Sequence, residues 1–571
     1  MRNNMLRRLP IEQATGESYG GRHRLHFVYK TRDLVILGLG VMIGAGIFKI
    51  SGVQAATMAG PAVILSFVIA GIVCLLAALS YAELSSMIPI SGSAYSFTYV
   101  AFGEIWAWLI GWSLILELLL AASVVARAWS LFATQTLTDF GVSIPSSLSQ
   151  VIGNEKGFDL LSLGILLLLI ALLATGARLS LRTLWFMVLA KLIVIGLVIV
   201  GGLIFFDPGN LTPFTPPSQT VPNTNGNTIL DAIMGGSPHA FGIWGVFAAA
   251  PAIIFAYIGF DLLATTAEET EDAPRRVPRG IVISLLISIA LYVGVAVTMV
   301  GMISYKDLDP SKPPLAVAFS AVGAASMGKV IDVGAVLGLT TVILVVLISL
   351  TRVIFSMARD GLMPVRLASV SRYRVPSWAT LVAGGAAILM SQILDVLTLE
   401  EMTVIGTLFA FLSVSAGVLA LRRNRPDLHR PFRVPAVPLT PLLSILAIGW
   451  LMLNLKIQTW GYFAIWMGVG ILLYLAYGHR HSRMRVLLDA AARAAAAPRV
   501  AAPPAPAPYA APYYPPSQYP GAASRPGYQG LPQQGAQSLG GPPPGGPPLG
   551  GPPLGGPPPD ERRPGGGRHS R

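Results

Sequence analysis

The sequence predicts an all-α integral membrane protein with about twelve transmembrane helices. Three observations carry that prediction. Charged residues are only 12% of the 571 and hydrophobic residues 53%, about half the roughly 25% charge of an average soluble domain. The apolar residues gather in runs such as LLSLGILLLLIALLATGA at 160–177, close to the ~20 residues a helix needs to cross the hydrocarbon core. Two runs are interrupted where a continuous helix would be expected, GLGVMIGAGIFKISG at 38–52 and FAYIGFD at 255–261.

Taken in order with a ~19-residue hydropathy window, the spans are 33–53, 61–86, 98–127, 158–176, 183–206, 242–267, 279–304, 329–357, 378–396, 402–421, 438–456 and 459–477. Arginine and lysine mark one set of alternate loops: Arg7, Arg8, Arg22, Arg24, Lys30 and Arg32; Arg178 and Arg182; Arg275, Arg276 and Arg279; Arg359, Arg366, Arg372 and Arg374; and Arg422, Arg423, Arg425, Arg430 and Arg433. The opposite set holds little beyond Lys156, Lys306, Lys312, Lys329 and Lys456. Both termini are therefore expected in the cytoplasm of a plasma-membrane protein. The net charge of +13 follows from this loop bias, so no nucleic-acid partner is expected.

One cysteine, Cys74, excludes an intrachain disulfide, and the seven histidines lie at span ends or in tails, which argues against a metal centre. Residues 1–32 form a polar, basic N-terminal segment rather than a cleavable signal peptide. Residues 203–241 read as an external loop. From 481 to 571 the chain turns to alanine, proline and glycine, ending in GGPPPGGPPLGG repeats. Such a composition cannot build a packed core and reads as a disordered cytoplasmic tail, part polyproline II, open to a protein partner.

The interruptions are where chemistry is expected. Glycine costs a helix roughly 0.5–1 kcal/mol relative to alanine, and in lipid a frayed backbone finds no water. A break is tolerable where it lines a protein cavity, and paired breaks in corresponding spans point to a transporter's substrate site. At the first break Ile43, Gly44, Ala45 and Gly46 begin a second half-helix. Its N–H groups and positive dipole end suit a carboxylate. Gly40 and Gly44 also have the small-xxx-small spacing of a packing face. At the second break the carbonyls of Phe255, Ala256 and Ile258 suit an α-ammonium group. Tyr257 and Phe260 wall that site or pack, and Asp261 caps the break or bonds a neighbouring helix.

Lys191 stands about nine residues into its span, where a fixed charge costs at least ~2.5–3.5 kcal/mol. Burial makes the charged form costly, so a lysine there can lose and regain a proton. Glu117, in another apolar run, is its expected partner, or else holds a cationic substrate side chain. Arg127 and Arg352 snorkel or pair, Glu83 joins an intracellular gate, and AEETEDAPRRVPRG at 267–280 is a solvated connector.

The string SGSAYSFTYVAFGEIWAWLIGWSLILELLLAASVVARAWS (91–130), with IGAGIF (43–48), FAYIGFDLLATTAEETEDAPRRVPRGI (255–281), TTVILVVLISLTRVIFSMARDGLMP (340–364) and GTLFAFLSVSAGVLALRR (406–423), resembles the cationic amino acid transporter branch of the amino acid–polyamine–organocation (APC) superfamily over roughly 30–480. The resemblance implies a LeuT-type 5+5 inverted repeat with broken helices 1 and 6. A twelve-helix domain over 33–480 would hold repeats at about 33–206 and 242–421 and extra helices over 438–477. It also implies that Lys191 stands where proton-coupled members place a lysine in lieu of a sodium ion. Three positions depart from the family pattern. Ala45 replaces a frequent small hydroxyl residue, and the connector reads EDAP where an asparagine is commoner. Lys49 follows the break and, facing an external vestibule, would repel cationic substrates.

The expected function is secondary active amino acid transport, proton-coupled symport into the cell, with a lipid bilayer and an amino acid as partners. It needs no cofactor beyond a coupling H+. An exchanger, a polyamine permease and a non-transporting amino acid receptor are the alternatives. A titratable midplane lysine favours transport over reception. No Ser–His–Asp, paired-carboxylate or metal constellation at a common depth supports an enzyme.

Overall fold

The computed structural model describes residues 29–486 except 155, 177–180, 221–226, 236–238, 310–312 and 372–374. The chain divides into units 1–497 and 498–571, and every described residue lies in the first. The N-terminal segment to residue 28, the tail from 487, and the loop residues Arg178, Lys312, Arg372 and Arg374 lie outside the described residues.

The fold is all-α, as the long apolar runs dictate: buried in lipid, a backbone must satisfy its own polar groups within each segment. In chain order the main helices are α1 (Thr31–Met42), α2 (Val63–Met87), α3 (Glu104–Asp139), α4 (Leu160–Ala174), α5 (Leu181–Ile204) and α6 (Gly242–Tyr257). They continue with α7 (Ala273–Met302), α8 (Ala325–Arg359), α9 (Ser377–Ile393), α10 (Val396–Asn424), α11 (Leu439–Leu453) and α12 (Ile457–Leu473). Among the described residues eight helical stretches are long and apolar enough to cross a bilayer, while α4, α9 and α11 are shorter apolar helices. A two-residue antiparallel pairing, Gln219–Thr220 with His239–Ala240, lies in the long loop before α6.

The helices pack in two groups. In one, α7 lies against α2 and α1, and α2 against α6; in the other, α3 lies against α8, α10 and α9. α3 is buried along nearly its whole apolar length, whereas α5 and α12 leave wide apolar faces uncovered, among them Phe186, Ile193 and Ile204 on α5 and Ile465 and Leu472 on α12. Those faces are where lipid would lie. Reciprocal indole bonds fasten α12 to α3. Trp112 Nε1 donates to the Trp466 carbonyl at 2.9 Å and Trp466 Nε1 to the Trp112 carbonyl at 3.0 Å, with the rings stacked 4.5 Å apart.

Arg127 and Glu83, both buried, are paired. Arg127 does not snorkel; it ties α3 to the following loop through the carbonyls of Asn154 and Gly157 and lies 3.8 Å from Asp159. Glu83, fully buried on α2, receives Arg422 of α10 through two bonds of 2.9 and 2.6 Å, and the Val434 N–H at 2.7 Å. It is a fastener between α2 and the end of α10. Removing Arg422 takes two charge-assisted bonds from Glu83, each worth about 1.5–3 kcal/mol, and leaves it Arg430 Nε at 3.5 Å and the Val434 N–H. Arg422→Ala should therefore lower the thermal midpoint of the detergent-purified protein clearly, whereas Arg423→Ala, on the exposed side of the same turn, should leave it within a degree or two of wild type, as surface changes usually do.

Candidate substrate and coupling site

Both interruptions are real departures from helix. α1 ends at Met42, Ile43 turns away with φ −72° and ψ 89°, and helical turns resume at Gly46–Ile50 as a wide π turn. The Gly44 N–H has no acceptor among the described residues. α6 ends at Tyr257, Ile258 is extended, and Gly259 adopts φ +128° before tight 3-10 turns over Asp261–Glu269. Only glycine takes that φ without strain. Asp261 settles the end locally: its Oδ1 accepts the Gly259 N–H at 3.2 Å.

The two breaks lie against each other. A Cβ on Gly46 would collide with the backbone and Cβ of Ala256, and one on Gly259 would lie 2.6 Å from Val41 Cγ1. Ile43, Gly44, Ala45, Gly46, Phe255, Ala256 and Ile258 are all buried, and the fold thus brings together the residues expected at the two half-helix ends. Their carbonyls are not all idle. Phe255 O accepts the Ile258 N–H at 3.4 Å, and Ala256 O accepts the Tyr292 hydroxyl at 3.0 Å. Lys49, in the resumed turn, is half-buried.

Lys191 reaches the first break from α5. Its Nζ donates to Gly40 O at 2.5 Å, to Ile43 O at 2.9 Å and to Thr341 Oγ1 of α8 at 3.0 Å. An ammonium group has three N–H donors, so the three acceptors use all of them. The expected pairing with Glu117 is not what the fold makes: among the described residues no carboxylate lies within ion-pair distance of Lys191. The unwound carbonyls of the first break supply the negative partial charge that a carboxylate was expected to supply. Glu117 instead stands against α10, its Cβ 3.2 Å from where a Cβ on Gly406 would be. Neither of its carboxylate oxygens accepts a hydrogen bond among the described residues, and the same holds for Asp261 Oδ2 and the Tyr81 hydroxyl. Tyr81 lies within the electrostatic reach of both carboxylates. Tyr257 and Phe260 both pack against neighbouring helices. Tyr257 donates to Phe67 O at 3.0 Å, and the Phe260 ring lies 4.9 Å from Phe411.

The connector is not solvated throughout. Glu271 pairs with Arg276 at the surface, but Glu269 meets Arg352 at 2.6 Å and Glu268 meets Arg359 at 3.4 Å, both from α8. Glu268 also accepts the N–H and hydroxyl of Ser91, each at 3.0 Å, and the Tyr29 N–H donates to Glu269 O at 3.2 Å. The end of the sixth span is thereby strapped to α8 and to the chain entering α1. The seven-residue interval between Arg352 and Arg359, two turns on one helix face, was the signal for this network. Tyr292 and Thr341 had no such signal, because nothing local marks a tyrosine or threonine that bonds a carbonyl some 36 to 301 positions away.

An all-α, multi-pass membrane protein with two facing helix breaks and a buried lysine on one of them is the class that fold and site define. The amino acid permease family profile matches residues 29–475. The chain belongs to the amino acid permease family, within the APC superfamily. Among its relatives, the branched-chain amino acid permease BcaP of Bacillus subtilis (strain 168) is 38% identical over 457 residues, covering 79% of this chain and 93% of the relative. The methylthioribose transporter of the same organism is 37% identical over 483 residues, covering 84% and 99%. The cationic amino acid transporter 4 of Mus musculus is 31% identical, covering 83% of this chain and 90% of the relative.

Proposed function

We propose that this permease is a proton-coupled amino acid symporter of the plasma membrane, with both termini cytoplasmic, that holds its substrate's backbone between the two breaks. The observation that carries the reading is the close approach of Gly46 to Ala256, with Lys191 bonded to the carbonyls of the same first break. The α-carboxylate meets the N–H groups of Gly44, Ala45 and Gly46, where a helix begins; the α-ammonium meets the carbonyls of Phe255, Ala256 and Ile258, where one ends. Ile43, Ala45, Phe255 and Ile258 offer an apolar surround. The unpartnered carboxylate of Glu117 stands ready to accept from a polar or cationic substrate side chain.

Lys191 carries the coupling. Its three acceptors match the ammonium form, and loss of a proton leaves two N–H donors for three acceptors. Deprotonation thus loosens the first break from α5 and α8, so that the group containing α1 and α6 can rock and reset. The two carboxylate–arginine pairs at Glu268 and Glu269 close the arginine-rich face and must part in each cycle.

The test is uptake of radiolabelled L-leucine, L-valine, L-alanine, L-lysine and L-arginine into proteoliposomes, with unlabelled competitors. Both backbone groups should be obligatory. The decarboxylated amines, and methylthioribose, which has neither group, should compete far more weakly than the parent amino acids. Competition by an amine as strong as by its amino acid would remove the carboxylate site and favour a polyamine permease. Competition by methylthioribose alone would make the cargo a thiosugar.

A further inference from the structure

Asp332 stands two turns into α8, at the end opposite the arginine-rich face. It is 1% exposed, and neither of its carboxylate oxygens accepts a hydrogen bond among the described residues. A buried carboxylate with no donor is costly. One turn earlier on the same helix face, Lys329 Nζ donates to the carbonyl of Asp139, the last residue of α3, at 2.8 Å. Asp332 is thereby turned toward Asp139, and the two side chains lie within hydrogen-bonding reach of each other. Asp139 Oδ1 also accepts Gln135 Nε2 of its own helix at 3.0 Å. No cation among the described residues lies within ion-pair distance of Asp332. The helices α4, α9 and the short helix Pro314–Ala321 pack on α8 and carry no ionisable side chain. From α5, Lys191 lies beside Gly338 and spends its donors on the first break and Thr341. Asp33 of α1 bonds Trp185, and Glu268 and Glu269 meet α8 at its other end.

We propose that Asp332 binds a proton taken from water and donates it in a hydrogen bond to Asp139, a second proton site separate from Lys191. Two ionised carboxylates in contact repel, whereas a protonated acid carries an O–H donor, so one proton turns the repulsion into a bond. A hard metal ion fits less well. It asks for six or more oxygens, the Asp139 carbonyl is already used by Lys329, and among the described residues no third metal-binding side chain joins the pair. The site acts on α8. Further along that helix Thr340 Oγ1 accepts Trp129 Nε1 of α3 at 2.9 Å, and the next residue, Thr341, gives Lys191 its third acceptor. With the proton in place, the ends of α3 and α8 are bonded and α8 holds Thr341 against Lys191. Without it the carboxylates push those ends apart and the coupling lysine loses a fixed partner. The pair thus tunes Lys191 and does not replace it. That the proton comes from outside the cell rests on the orientation proposed above; the shared proton does not.

The first measurement needs no transport. Infrared spectra of the full chain in detergent at neutral pH should show a protonated-carboxyl C=O band that is absent from Asp332→Asn and displaced in Asp139→Asn. In unmodified protein the same band should vanish on alkalinisation. Identical spectra for wild type and Asp332→Asn would overturn the proposal, and so would a band abolished by calcium at constant pH, which would make the occupant a metal ion. The second measurement is leucine counterflow in proteoliposomes of Lys191→Gln, in which the coupling lysine cannot titrate, with the same pH on both sides. Its rate should still fall as the pH is raised. Adding Asp332→Asn, whose amide donates to Asp139 at every pH, should move that alkaline limb upward by at least about one pH unit, the threshold at which two sites count as coupled. A limb that stays where it was would contradict the proposed role. In oriented vesicles, slowing by alkali on the outside alone supports the external site; slowing by alkali on the inside alone keeps the shared proton and overturns the orientation. If no amino acid of the uptake panel shows counterflow in unmodified protein, the substrate reading fails, and the infrared difference still decides the proton site.

Discussion

Gly46→Val should abolish uptake with insertion and abundance in the membrane unchanged. The space a Cβ needs is occupied by the backbone and Cβ of Ala256, and a backbone cannot swing aside as a flexible side-chain end can. Overpacking usually costs about 1–3 kcal/mol, which a large helical protein survives. At this position the strain would be relieved by separating the two breaks, which removes the site. Gly46→Ala should already reduce uptake severely, since the collision begins at the first carbon. Gly164→Val is the control: a Cβ there meets nothing within 4 Å, and transport should continue. Wild-type leucine affinity in Gly46→Val would take the first break out of the site.

Lys191→Ala should remove proton-driven accumulation and leave substrate binding and counterflow at least partly intact. Without the amine, the Ile43 carbonyl loses its donor, while Gly40 O keeps a possible bond from Thr341 Oγ1 at 3.2 Å. The loss is of titration, not of the whole architecture. Lys191→Gln separates the two roles. Its amide offers two N–H donors but no proton to release, so it should bind substrate better than the alanine variant and still fail to concentrate it. The wild type should concentrate leucine when the outside is acidic; both variants should stop at equal concentrations inside and out. Accumulation by Lys191→Ala against a gradient would place coupling elsewhere.

Much of this was legible in the sequence, for identifiable reasons. Apolar runs of span length, the glycines at 38–52 and the FAYIGFD interruption are local patterns, and local patterns fix where helices form and where they fail. Lys191 was legible because a charge inside an apolar run is expensive wherever the neighbours are. Its partners were not. Glu117 was assigned by elimination among charged side chains, yet the group that answers Lys191 is main-chain carbonyl, which every residue carries and no sequence displays. Tyr292 was hidden for the same reason, since its acceptors, the Met42 and Ala256 carbonyls, are exposed only once the two helices break. The ion pairs of Glu268 and Glu269 were read as solvated because the charge run continues into Glu271 and Arg276, which do lie at the surface; only the packing of α8 distinguishes the two halves.

The central claim is that amino acid movement through the paired breaks is driven by a proton gradient. The most direct measurement is uptake of radiolabelled leucine, alanine and arginine into proteoliposomes of the full chain, with and without an imposed gradient acidic on the outside. Accumulation of at least one of them above its external concentration, only with the gradient and abolished by a protonophore, is the predicted result. Uptake that reaches the same level with and without the gradient would contradict it.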